Sequence, residues 1–193
     1  MCGRYLFDSD GDIEEVKKIL QGLGDNNPPR IKTGEIFPTN DVPILSIIDG
    51  KPLLSVMKWG FLKWGGKGVI INARSETAAE KKSFAKPLAE RRCVIPSTGF
   101  YEWRRDSSGK SSEKLLFNVP DENMLYMAGA YSENADGARF VIFTRAANDS
   151  ICDVHNRMPV ILYKSELVRW MTDPDFIQAA FIRDNVRLVK KTA

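Results

Sequence analysis

The chain has 193 residues, 43% of them hydrophobic, which is enough for one apolar core and short for two ordinary domains, so a single domain over residues 1–193 is expected. A net charge of +3 excludes a polycation that binds nucleic acid over its whole surface, and leaves room only for a local basic patch. The cysteines at positions 2, 93 and 152 form no CxxC pair and fit no zinc spacing with the single His155. Free thiols, a reducing compartment and no bound metal or other cofactor are therefore expected. No apolar run has the length of a membrane span and no secretory leader pattern occurs, so a soluble, cytoplasmic protein without a membrane partner is predicted.

In chain order, residues 1–7 are β-capable, and a strand starting at residue 2 would pin the terminus inside the fold. Asp10 to Leu23 reads as a helix, capped by Asp10 or Asp12, with Ile13, Val16, Ile19, Leu20 and Leu23 as its apolar stripe and Gly22 and Gly24 at its end. The Asp25-Asn26-Asn27-Pro28-Pro29 loop leads to an extended piece ending at Phe37-Pro38-Thr39. Val42–Ile48 and Pro52–Met57, joined by Asp49-Gly50, form the clearest hairpin. The stretch from Lys58 to Gly68 interleaves aromatics and lysines with glycines and reads as irregular. A short strand over Val69–Ala73 precedes two helical turns, Ser75–Lys82 and Phe84–Arg91, the second broken at Pro87. Strands are expected at Cys93–Pro96, Gly99–Arg105, Leu115–Val119, Met124–Tyr131 and Phe140–Thr144, with a hydrophilic tip over Asp106–Lys114. Ile151–Val160 reads as irregular, and Ser165–Met171 and Pro174–Ile182 as short helices. Many strands with helices at the margins predict an α+β domain built on a curled, barrel-like, mainly antiparallel sheet.

The residues that could carry chemistry are few. Cys2 follows Met1 directly, and removal of Met1 would leave a terminus bearing both a thiol and an α-amine, a 1,2-aminothiol. An α-amine has a pKa of about 7.7–8.0 against about 10.4 for lysine, so much more of it is an unprotonated nucleophile near neutral pH. The thiol, at about 8.5, supplies some thiolate as well. Asn72-Ala73-Arg74-Ser75-Glu76-Thr77 follows an apolar strand and reads equally as a helix start capped by Ser75. Glu102 lies between Tyr101 and Trp103, so on a strand it faces away from both; either it points to solvent, or it points inward with a raised pKa suited to proton transfer. His155, in an irregular stretch beside Arg157, is open to a structural or a catalytic reading. Cys93 and Cys152 read as buried, inert thiols. Arg4, Lys63, Lys67, Arg74, Lys82 and Arg157 are candidate phosphate contacts, and Trp64 is a candidate stacking face, whereas Trp59 belongs in the core.

Met1-Cys2-Gly3-Arg4, Asn72-Ala73-Arg74-Ser75-Glu76-Thr77, Gly99-Phe100-Tyr101-Glu102-Trp103 and His155-Asn156-Arg157-Met158-Pro159-Val160, in this order, resemble the SOS response-associated peptidase (SRAP) family along essentially the whole chain. The resemblance implies a compact α+β fold with a positive cleft, binding of single-stranded DNA, and covalent capture of abasic sites through the N-terminal cysteine during the DNA damage response. It implies Cys2 as nucleophile, Asn72 positioning the terminus and the sugar, Glu102 shuttling protons and His155 assisting opening or release of the sugar. It further implies DNA contacts from Arg4, Pro38, Trp64, Arg74, Lys82, Thr144 and Arg157 in a monomer that associates with the nucleoid when DNA is damaged. Two positions depart from the family pattern: Gly65 stands where a second aromatic is common, and Lys82 where an arginine is common. The chemistry suits the residues, because an amine can attack a ring-opened sugar aldehyde and the neighbouring thiol can close a five-membered thiazolidine. The competing class is an N-terminal-nucleophile peptidase or amidase, in which Cys2 attacks an amide, starting with removal of Met1 itself. A non-catalytic nucleic-acid-binding module is the third reading.

Overall fold

The computed structural model describes residues 2–9, 14–23, 31–106, 108–183 and 186–193. Strands β1 (Arg4–Phe7), β2 (Gly34–Ile36), β3 (Asp41–Ile48), β4 (Lys51–Trp59), β5 (Phe61–Leu62), β6 (Val69–Ile70), β7 (Asn72–Arg74), β8 (Arg92–Ser97), β9 (Gly99–Arg105), β10 (Ser111–Asn118), β11 (Leu125–Asn134), β12 (Gly137–Ala146), β13 (Arg157–Pro159), β14 (Ile161–Leu162) and β15 (Val189–Thr192) make up most of its regular structure. Short helices α1 (Glu14–Gly22), α2 (Lys82–Glu90), α3 (Leu167–Thr172) and α4 (Phe176–Ile182) complete an α+β fold.

The larger sheet runs β13-β12-β4-β3-β8-β11-β14 and closes on itself, because β12 pairs with β11 along one edge and with β4 and then β7 along the other. Closure removes the exposed edges that an open sheet would present. The β12 pairings to β4 and β7 are parallel and the rest antiparallel. The second sheet, in the order β15-β10-β9-β1-β2, is antiparallel throughout. The chain passes from one sheet to the other between β8 and β9 at Thr98. There the Thr98 amide donates to the Leu6 carbonyl at 2.7 Å, the Asp8 amide donates to its hydroxyl at 3.2 Å, and Asn118 Nδ2 donates to its carbonyl.

Aromatic side chains hold the sheets together. Tyr5 of β1 lies 5.3 Å from Trp59 of β4, which stacks in turn at 6.3 Å on Phe140 of β12. Trp59 is fully buried and satisfies its indole N–H on the Ile71 carbonyl at 3.0 Å. On the other side of β12, Phe143 packs with Trp170 of α3 and Phe181 of α4 at 5.8 and 5.3 Å. The buried Arg92 guanidinium donates to the carbonyls of Leu88, Ala89, Trp170 and Met171, satisfying the C-terminal ends of α2 and α3 together.

The Asp49-Gly50 hairpin forms as expected, with both residues left-handed at φ 52° and 72°. The structure differs elsewhere. The Gly-rich stretch is more regular than its composition suggests: β4 runs to Trp59, and β5 pairs with β6 around a tip whose Gly65, Gly66 and Gly68 take positive φ. Pro87 sits inside α2 instead of breaking it; its ring is buried, and its carbonyl accepts the Arg91 amide at 2.8 Å. Ser75 begins a 3-10 turn whose flanking residue is Arg74, with no side-chain cap. Part of the irregular stretch before Val160 is strand β13, and β15 closes the edge of the second sheet beyond the last expected helix. Cys152 is exposed, not buried, because it sits in a surface turn over residues 151–154. Asp10, Asp12, Ile13, Gly24 and the loop at 25–29 lie outside the described residues.

The closed sheet depends on small residues where β11 threads between β8 and β12. A Cβ at Gly129 would stand 2.4 Å from Ile95 Cδ1 and 2.6 Å from the Val141 carbonyl. Gly129→Ala is expected to destabilise the fold by about 1–3 kcal/mol, read as a fall in the denaturant midpoint; an unchanged midpoint would refute this packing.

Candidate active site and nucleic-acid interface

The site is built where β1 meets the closed sheet. Pairing of Arg4 with Tyr101 and Tyr5 with Phe100 fixes β1 against β9, so Glu102, the next residue of β9, stands beside the Cys2 end of β1. The alternation left open by the sequence resolves inward. Phe100 and Glu102 face the interior, where Phe100 stacks on Phe117 at 5.2 Å, while Tyr101 and Trp103 face Lys114 and Arg4. Glu102 is 3% exposed, and burial raises its carboxyl above the ordinary carboxylate range.

Cys2 is fully buried. Its thiol donates to the Arg4 carbonyl at 3.4 Å, and its own carbonyl accepts the Asn72 Nδ2 amide at 2.8 Å. Burial, and after it the negative charge of Glu102, pushes the Cys2 thiol far up, so in this state it is a protonated thiol and not the partly ionised one of a free cysteine. Asn72 is aligned by parallel pairing with Ile142 of β12. Its Oδ1 is buried without a hydrogen-bond partner among the described residues, which leaves an acceptor open.

His155 is half-buried, at the end of the turn that precedes β13. Its Nδ1 accepts the Arg157 amide at 2.9 Å, which places the proton of the neutral ring on Nε2, and burial lowers its pKa. The ion pair of Arg104 with Asp153 at 3.2 Å ties β9 to this turn, and the Arg105 guanidinium is near enough to act on both Glu102 and His155. Thus Cys2, Asn72 and Glu102 lie together, and the Arg104–Asp153 pair holds the turn before His155 against β9.

The residues expected at DNA divide by exposure. Trp64 is fully exposed at the tip of the β5–β6 hairpin, Arg74 and Lys82 are exposed, and Pro38 is half-buried in the turn between β2 and β3. Arg4 is shared between Glu35 at 3.0 Å and the rings of Phe37 and Trp103 at 4.4 and 5.0 Å. Glu35 also accepts Lys114 at 2.8 Å, and this partner of both cations gives no signal in the sequence. Thr144 is fully buried; its carbonyl and hydroxyl receive Arg157 Nη2 at 2.5 and 3.4 Å. Arg157 itself forms a two-pronged pair with Glu76 at 2.5 and 2.9 Å. That pair draws Glu76 down to about pKa 2. Among the described residues no cluster of His, Cys, Asp and Glu could hold a metal, and no helix is long and apolar enough to cross a membrane.

Comparison with known proteins places these features in a family. The family model for SOS response associated peptidase (SRAP) matches residues 1–187. The abasic site processing protein YoqW of Bacillus subtilis is 36% identical over 200 residues, covering 93% of this chain and 85% of its own. The abasic site processing protein YedK of Escherichia coli is 32% identical over 183 residues, covering 89% and 79%. A crystal structure of a Bordetella bronchiseptica protein superposes with a TM-score of 0.77 at 22% identity, over 100% of this chain and 99% of that one, and shares its fold. On a family match that spans nearly the whole chain, the chain belongs to the SOS response associated peptidase family.

Proposed function

We propose that the protein binds single-stranded DNA and captures abasic sites covalently through Cys2, once Met1 has been removed. The observation that carries this reading is the convergence at Cys2, whose carbonyl is held by Asn72 at 2.8 Å and whose neighbour is the buried Glu102. The relatives named as abasic site processing proteins support the substrate class.

Removal of Met1 turns the Cys2 backbone nitrogen into an α-amine. Glu102 as a carboxylate takes a proton from the ammonium, and the neutral amine adds to the aldehyde of a ring-opened abasic sugar, forming a C–N bond. The resulting hydroxyl leaves as water with a proton returned by Glu102, giving an imine. The thiol then adds across the C=N bond; a C–S bond forms, the thiol proton ends on nitrogen, and a thiazolidine ring closes. A buried, protonated thiol suits this order, because the amine attacks first and the thiol is held in reserve beside it. The open Oδ1 of Asn72 accepts from the amine or a sugar hydroxyl, and His155 Nε2–H assists ring opening or release. Arg4, Arg74, Lys82 and Arg157 meet phosphates, Trp64 and Pro38 support bases, and Thr144 acts by holding Arg157.

With abasic oligonucleotide, the processed protein is expected to give an adduct that survives denaturation, and Cys2→Ala to give none while still binding intact strands. Cys2→Ser keeps the amine and should yield only a hydrolysable imine that borohydride traps. A stable adduct in Cys2→Ala sinks the mechanism, and turnover of peptide substrates that disappears in that variant would favour an amidase instead. Trp64→Ala should weaken strand binding by about 1–3 kcal/mol for each base stacked without lowering the melting temperature; equal affinity would remove Trp64 from the interface.

Glu102 gives a pH test. Because burial raises its folded pKa, the fold holds this proton more tightly than the unfolded chain does. Its stabilising contribution is complete below the ordinary value of 4.5 and is lost as pH rises through the folded value. Glu102→Gln should therefore melt higher than the wild type at about pH 8 but not at about pH 4. It should also slow crosslinking by about 10²–10⁴-fold. A variant that crosslinks at the wild-type rate would exclude Glu102 as the proton carrier.

A further inference from the structure

The Arg157 guanidinium is already occupied. Its Nη1 and Nη2 donate to the two oxygens of Glu76 at 2.5 and 2.9 Å, the second Nη2 proton goes to the Thr144 carbonyl at 2.5 Å, and Nε is buried without an acceptor among the described residues. The outer fork, the edge with which an arginine grips a phosphate through two parallel bonds, is therefore filled by a carboxylate. The pair is lopsided in exposure, with Arg157 at 13% and Glu76 at 48%. A guanidinium that far from water needs a counter-charge at all times, whereas a half-exposed carboxylate can swing into solvent at small cost. Arg74, two residues before Glu76, is exposed and makes no ion pair among the described residues, so a strand reaching this corner meets one open cation and one covered cation.

We propose that Glu76 is an ionic lock on Arg157, a built-in stand-in for a DNA phosphate that any strand must displace before Arg157 can grip it. This rests on the reading of Arg157 as a phosphate contact. The lock satisfies the buried guanidinium when no strand is present, and it subtracts from the affinity of every polyanion that binds by charge alone. A strand captured through its abasic sugar has covalent attachment to offset that loss, and an intact strand has nothing. Glu76 is thus a specificity determinant, lowering residence on undamaged DNA without touching the reacting atoms. The carboxyl's depressed pKa means that the lock stays ionised across the physiological range.

The test is the affinity of an intact single-stranded oligonucleotide for the wild type, Glu76→Gln, Glu76→Asp, Arg157→Gln and the Glu76→Gln/Arg157→Gln double variant, measured across a salt series with thermal melting as the control for folding. Glu76→Gln is expected to bind severalfold tighter than the wild type, with a slope of log affinity against log salt steeper by about 0.7 for the one phosphate gained. Glu76→Asp should fall between the two, and the gain should vanish when Arg157 is also replaced. Unchanged or weaker binding in Glu76→Gln, with its fold retained, overturns the lock and makes Glu76 a support that orients Arg157. A gain that persists without Arg157 overturns it as well, since the effect would then be the loss of a general negative charge. The same proteins are given an abasic oligonucleotide: a tightened Glu76→Gln that forms no Cys2 adduct would leave the lock standing and bring down the capture chemistry instead.

Discussion

A single hydrogen bond, from Asn72 Nδ2 to the Cys2 carbonyl at 2.8 Å, joins two parts of the molecule that no backbone ladder joins at that point. Asn72 sits on β7, attached to the closed sheet through β12; Cys2 precedes β1, which belongs to the second sheet. The contact of Tyr5 with Trp59 adds an aromatic tie between the same two sheets. Everything proposed at the site presupposes this seam. Glu102 is near Cys2 only while β1 keeps its register on β9, and a slip of one residue would turn Glu102's neighbours over to the opposite face.

Electrostatics around the seam are arranged by pairing, which the small net charge of +3 foreshadows. Arg4 and Lys114 share Glu35, Arg157 holds Glu76, and Arg104 holds Asp153. A surface of half-neutralised cations attracts a strand less strongly than the same cations bare, and puts more of the discrimination on stacking and chemistry. Inside, burial dominates: it raises both the Cys2 thiol and the Glu102 carboxyl, and keeps the thiol protonated beside the carboxyl.

How much of this could be read from the sequence depended on whether a signal was local. The Asp49-Gly50 turn is local chemistry and reads correctly; so do the strand of Gly99–Arg105 and the core role of Trp59. Alternation shows that Glu102 and its aromatic neighbours face opposite ways, but which face is interior depends on what packs there, and only the fold decides it. Pro87 misleads because a helix can keep a proline where burial of the ring compensates the lost bond, and β15 is missed because a short exposed strand carries no apolar pattern. Of the site residues named from motif resemblance, Cys2, Asn72 and Glu102 lie together, while Glu35 and Glu76, the partners of Arg4 and Arg157, stay invisible, since Glu76 and Arg157 are 81 residues apart and nothing in either neighbourhood announces the pair. The burial of Thr144 is likewise a property of the fold, since β12 lies between β7 and β13.

The pinned first strand also bears on how the candidate site is put together. Cys2 and Asn72 are 70 residues apart in sequence, and β9, against which β1 must pair, lies later still. Until those segments exist, residue 2 is an ordinary exposed thiol with no carboxylate beside it and no amide holding it. The candidate site is thus assembled by contacts distant in sequence, which are the slow ones to form. The chemistry proposed at Cys2 is thereby conditional on a finished fold.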